Sequence, residues 1–201
     1  MMPQPDMKRR ELYIVMVMVC WLHPAFSQNS LSSDSSLVRT DTLKVIAPPK
    51  PRPSPMAVAL YKEENIYIKV TYCQPSLKGR DIFNEIAPYG KLWRTGANEA
   101  TEITLTKDVK LADKLLKAGT YTLFSIPNPT QWTLILNSEL GQWGDYKYDE
   151  TKNILTFEAP RLQNHEIFEA FTIQITETPA GADMALLWDR VKVVLPFAFN
   201  R

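Results

Sequence analysis

The sequence predicts an all-β fold, an antiparallel β-sandwich of about nine or ten strands, with a closed barrel as the second architecture. Three observations carry this expectation. From Met56 onward, apolar residues recur with period two in short runs rich in β-branched and aromatic side chains, as strands with one buried face require. Turn signals separate the runs at short intervals: Glu63-Glu64-Asn65, Ala118-Gly119, Pro127-Asn128-Pro129-Thr130, Asp149 to Asn153, and Pro179-Ala180-Gly181. No amphipathic stretch exceeds about two helical turns, and there is no internal repeat.

Taken in order, the chain begins with an address. Lys8, Arg9 and Arg10 precede an uncharged apolar run from Leu12 to Leu22, and Ala25 and Ser27 stand three and one residues before Gln28. Basic, apolar and small-residue regions in this order form a secretory signal, so residues 1–27 are expected to be removed and the protein exported, to the periplasm or beyond. Eleven apolar residues rise only about 16 Å as a helix, too little for a hydrocarbon core of roughly 30 Å, so no membrane span is expected after cleavage. A lipid anchor at Cys20 is the lesser alternative, since Val19 is a poor residue before a lipoprotein cysteine.

Residues 28–55 read as a disordered tether. Five serines lie between Ser30 and Ser36, and residues 48–55 run Pro-Pro-Lys-Pro-Arg-Pro-Ser-Pro, which favours an extended spacer over a sheet strand. Residues 56–201 form the single folded domain. In it Ile66, Ile68 and Val70 mark one strand, Ile103 and Leu105 another, and Trp132, Leu134 and Leu136 a third. Phe171, Ile173 and Ile175 mark a fourth, and Val191, Val193, Leu195 and Phe197 close the chain. Ile82 to Ile86 suits one short helical turn. Trp93, Trp132 and Trp188 sit in strand-like contexts and are expected in the core.

Composition excludes several functions. With 201 residues, 23 basic and 22 acidic side chains, the net charge is +1, and signal cleavage takes three of the basic and two of the acidic groups, leaving 20 of each. Nucleic-acid binding, which needs a surplus of Lys and Arg, is not expected. Two Cys and two His cannot build a four-thiolate or multi-histidine metal centre, and no metal or cofactor is expected. After cleavage one thiol remains, Cys73, whose simplest role is that of a small buried apolar side chain. His165 lies in a polar turn, Arg161 to Glu166, and no Gly-x-Ser-x-Gly elbow accompanies it, so a Ser-His-Asp hydrolase is not indicated.

Two segments escape the alternating pattern. One runs from Gln74 to Thr101 and carries three of the seven glycines; the other is Leu140-Gly141-Gln142-Trp143-Gly144-Asp145-Tyr146-Lys147-Tyr148-Asp149. Gly79-Arg80 and then Pro88-Tyr89-Gly90-Lys91-Leu92-Trp93-Arg94-Thr95-Gly96-Ala97-Asn98-Glu99-Ala100-Thr101 closely resemble the signature of a bacterial family called domain of unknown function 2911. Gly119-Thr120-Tyr121, Trp132-Thr133 and Gln142-Trp143-Gly144 follow in the same order, and the resemblance spans roughly 57–197. It implies an exported, β-rich protein and brings no established activity.

The same segments supply the candidate site: Arg80, Arg94, Asn98, Glu99, Trp143 and Tyr146. Arg80 and Arg94 present planar forks suited to carboxylates, and Asn98 both donates and accepts. One reading has them knit the loop to the sandwich through an Arg94–Glu99 or Arg80–Glu99 ion pair; the other has them bind a polar ligand. Trp143 with Tyr146 and Tyr148 is either an aromatic platform for a sugar face or a cap on the core. The leading function is a non-catalytic binding module for a glycan or other polar small molecule. A structural or envelope-assembly partner is the second reading. The third is a glycoside hydrolase pairing Glu99 with Asp145 or Asp149, which needs carboxylates roughly 5–5.5 or 6.5–9.5 Å apart.

Overall fold

A computed structural model describes residues 50–199; the expected signal sequence and the tether up to residue 49 lie outside the described residues. Among the described residues, ten antiparallel strands form two open sheets, so the fold is the sandwich rather than the closed barrel. The six-stranded sheet contains β1 (Met56–Glu63), β2 (Ile66–Cys73), β3 (Thr101–Leu105), β6 (Gly119–Ile126), β7 (Gln131–Asn137) and β8 (Asn153–Pro160), paired in that order. The four-stranded sheet runs β5 (Lys114–Leu116), β4 (Val109–Leu111), β10 (Gly181–Phe199) and β9 (Leu162–Thr178). Among the described residues no helix is long and apolar enough to cross a membrane.

The alternating runs become strands because one face of each is buried. Ile68, Val70, Ile103, Leu123, Leu134 and Leu136 of the larger sheet meet Phe171, Met184, Leu186, Val193 and Phe197 of the smaller one in a single core. Burial at roughly 25 cal/mol per Å² of apolar surface is the driving term. Tyr72 ties the layers, its hydroxyl accepting from the Ile173 amide at 3.0 Å. Trp93, Trp132 and Trp188 are buried as expected. Trp93 lies between the sheets, stacked on Trp188 at 5.6 Å and edge-on to Trp132 and Phe171 at 5.9 and 5.3 Å. Ile82–Ile86 is a single π-helical turn, capped by the Asp81 side chain, which accepts from the amides of Phe83 and Asn84.

Two features depart from expectation. The segment around His165 is strand rather than polar turn: β9 is the edge strand beside β10, bridged on its other side by Ser76 at Ala170, and its first residues face solvent and tolerate polar side chains. Beside it, the ladder shifts register around Asp189, which sits at φ 51°. β10 turns a corner there so tightly that its ends meet, the Phe199 amide donating to the Ala180 carbonyl at 2.9 Å. A register shift of this kind bends a strand and strengthens its twist. Trp188, immediately before the corner, is buried.

Candidate functional site

The site grows from the end of β2. Alternation sends Cys73 to the outer face of the larger sheet with Thr71, opposite Met56 and Val58 of β1. Met56 and Val58 are half exposed there, yet Cys73 is fully buried. The difference is the 94–100 loop, which lies over it. A β-carbon added at Gly96 would sit 3.1 Å from the Cys73 carbonyl oxygen, so a residue without one lets the loop approach.

Hydrogen bonds to residues at its ends and to β6 shape this loop. The Trp93 indole donates to the Gly96 carbonyl at 3.1 Å, Thr101 Oγ1 to the Thr95 carbonyl at 2.6 Å, and Thr95 Oγ1 to Ser125 Oγ at 2.9 Å. Thr95 and Asn98 both adopt left-handed backbone, at φ 53° and 57°. Asn tolerates this conformation, whereas a β-branched Thr is strained in it. Complete burial and two hydroxyl-mediated bonds hold Thr95 there.

The 140–149 loop pairs with the first. The Ala100 amide donates to the Gln142 carbonyl and the Gly144 amide to the Asn98 carbonyl, each at 2.9 Å, which sets Glu99 opposite Trp143. Residues bracketed this way in an antiparallel pair have their side chains close together on one side. Arg94 Nη1 donates to the Asn98 carbonyl at 3.3 Å, and a β-carbon at Gly144 would stand 3.1 Å from that nitrogen and 2.8 Å from the Tyr146 ring. Arg94, Asn98, Glu99, Trp143 and Tyr146 are thus brought together by two paired loops.

Beside them a cavity of about 180 Å³ opens between β1, β2 and β3 and the two loops; most of its surface is apolar, and Glu99, Glu102 and Gln142 are among the residues that line it. Glu102 accepts from the Gly141 amide at 2.8 Å. Gln142 is only 8% exposed; its Nε2 donates to the Glu139 carbonyl at 3.1 Å, which fixes the amide orientation, and its buried Oε1 has no partner. Arg52 Nη1 reaches both oxygens of Glu99, at 2.7 and 2.6 Å, and the Cys73 thiol donates to Glu99 Oε2 at 3.4 Å. The Arg52 hydrogen bonds hold the Glu99 carboxyl below its ordinary range. Burial pushes the Cys73 thiol up, and the neighbouring carboxylate adds to that.

Arg80 stands apart from this group. It is exposed, donating to the carbonyls of Leu77 and Ser76 at 3.0 and 2.7 Å. Neither arginine pairs with Glu99; Arg52 does, because the chain entering β1 passes directly over the carboxylate, while Arg94 is turned onto the backbone of its own loop. Trp143 does not cap the core: it is 56% exposed and Tyr146 77%, and Tyr148 packs on Phe124 at 5.0 Å in a smaller apolar cluster separate from the core between the sheets. The last residues of the expected tether are held rather than free. Ser54 accepts through its carbonyl from Asn98 Nδ2 at 3.2 Å, and Pro55 from the Gln74 amide at 2.9 Å.

Glu102, Gln142 and Arg52 were not among the sequence candidates. Glu102 was legible only as an outward position of a strand, and nothing local distinguishes Arg52 from the rest of a Pro-rich spacer. Among the described residues no group of three His, Cys, Asp or Glu side chains is placed to hold a metal ion.

Fold and site together define a β-sandwich whose outer sheet face carries a small cavity under two paired loops. The chain belongs to the family described as protein of unknown function (DUF2911), whose model matches residues 54–197. Comparison with curated proteins and with solved structures gave no match.

Proposed function

We propose that the protein is a non-catalytic, exported binding module whose site is the cavity beside Glu99, and that its ligand is a small polar molecule presenting hydrogen-bond donors, such as a sugar. The observation that carries the reading is the unpaired Gln142 Oε1. A buried acceptor without a donor costs about 1–3 kcal/mol, and here it belongs to a residue of the cavity lining, in which Glu99 and Glu102 are further acceptors. About 180 Å³ is below the roughly 300–1,000 Å³ of ordinary small-molecule sites, and suits one ring or one side-chain head. Exposed Trp143, paired across from Glu99, offers an apolar face at the margin. A glycosidase finds less support: Arg52 holds Glu99, and Thr151 holds Asp149, below the ordinary carboxyl range, whereas a general acid needs its pKa raised.

The test is a titration of the protein with a panel of neutral and amino monosaccharides, followed by tryptophan fluorescence, in the natural chain and in Gln142→Met and Trp143→Phe. Saturable binding by at least one sugar, abolished in Gln142→Met, is expected. Absence of binding across the panel, or binding indifferent to Gln142→Met, overturns the reading.

A further inference from the structure

The Pro-rich segment before β1 reaches the margin of the cavity and places a cation there. Its contacts are those of an extended peptide on a receptor: Arg52 donates to both oxygens of Glu99, while the Ser54 and Pro55 carbonyls accept from Asn98 Nδ2 and the Gln74 amide. The two sides of this contact are held very differently. Glu99 is fixed by the backbone bonds that pair it with Trp143, and it also accepts from the Cys73 thiol. The Arg52 side chain is 47% exposed and the Glu99 side chain 36%, so their ion pair is screened by water and readily exchanged. Glu102 and Gln142 are among the residues that line the neighbouring cavity.

We propose that Glu99 is a subsite for a cationic donor group, a guanidinium or primary ammonium carried by the ligand, and that Arg52 is a competitor built into the chain, which the incoming cation displaces. This deepens the binding reading above and rests on it. A tethered competitor lowers the apparent affinity of a free ligand according to its effective concentration, so the site opens only to ligands that supply both the cation and further donors for the cavity.

The experiment uses the full chain in four forms: natural, Arg52→Ala, Arg52→Lys, and Arg52→Ala combined with Glu99→Gln. Calorimetric titrations with N-acetylarginine methylamide and with glucosamine are set against their neutral counterparts, the citrulline analogue and N-acetylglucosamine. At least one cationic probe is expected to bind Arg52→Ala several-fold tighter than the natural chain. Arg52→Lys should restore the weaker binding, the double variant should lose it, and high salt should weaken it. The arms separate guanidinium from ammonium as the preferred group. Equal affinity in the natural and Arg52→Ala chains, or binding that survives Glu99→Gln, overturns the proposal. Neutral sugars that bind as well as amino sugars, in a Gln142-dependent way, also overturn it while leaving the donor-binding reading intact. No binding of any probe to any form defeats both.

Discussion

Glu99 is one carboxylate in contact with two donors, Arg52 from the chain leading into β1 and Cys73 from the end of β2. Hydrogen bonds to its charged form lower its proton affinity in the folded state. The sign follows directly. A carboxyl whose folded pKa is depressed contributes stability that is present above its unfolded value, about 4.3 for Glu, and that is lost as pH falls through the lower folded value. Carbon-detected NMR titration of the Glu99 carboxyl is therefore expected to give a depressed midpoint in the natural chain, moving upward in Arg52→Ala because the leading cause is gone. An unchanged midpoint between the two forms would show that Arg52 does not populate this contact in solution.

Among the elements, the corner in β10 makes the strongest demand on sequence. With the two ends of the strand in contact, a β-carbon on Gly181 would lie 2.2 Å from the Phe197 carbonyl oxygen, a distance that forces backbone to move. Overpacking of this kind costs about 1–3 kcal/mol, occasionally more. Gly181→Ala should lower the urea midpoint without changing the slope of the transition. A change within about 0.5 kcal/mol, typical of an uninvolved surface site, would refute the close approach. The short β4–β5 hairpin has a contrasting solution, Ala112 and Asp113 both at positive φ, 50° and 60°. A two-residue loop with both central residues left-handed matches the strand twist, and here it is made without glycine.

At the scale of the molecule, Trp93 joins the site to the core. Trp93 exchanges backbone bonds with Ser125 at 2.7 and 2.9 Å, inserts its ring between Trp132, Phe171 and Trp188, and donates from its indole to Gly96 of the site loop. Core and site therefore share a support. Removing a buried aromatic ring costs about 3–5 kcal/mol, a large share of the roughly 5–15 kcal/mol that holds a domain together. Trp93→Ala is expected to lower the melting temperature sharply, and Trp93→Phe to lower it less. A near-natural melting curve for Trp93→Ala would mean that the loop is held by its own hydrogen bonds alone.

Period-two patterning and turn chemistry by themselves determined the all-β class and favoured the sandwich over the barrel, because which face of a strand is buried is written locally in alternating side chains. Breaks in that pattern likewise located the two loops that carry Asn98, Glu99, Trp143 and Tyr146. Tertiary structure alone decided the rest. Glu99 pairs with Arg52 rather than Arg94 or Arg80 because the chain entering β1 crosses the loop, a contact spanning 47 residues that no local signal encodes. Cys73 is buried although it points outward, and Glu102 lines the cavity, because strand register and the overlying loop bring them under cover. Polar groups near Arg80 and Glu99 look alike in sequence; only the path of the backbone separates the one facing solvent from the one beside a cavity.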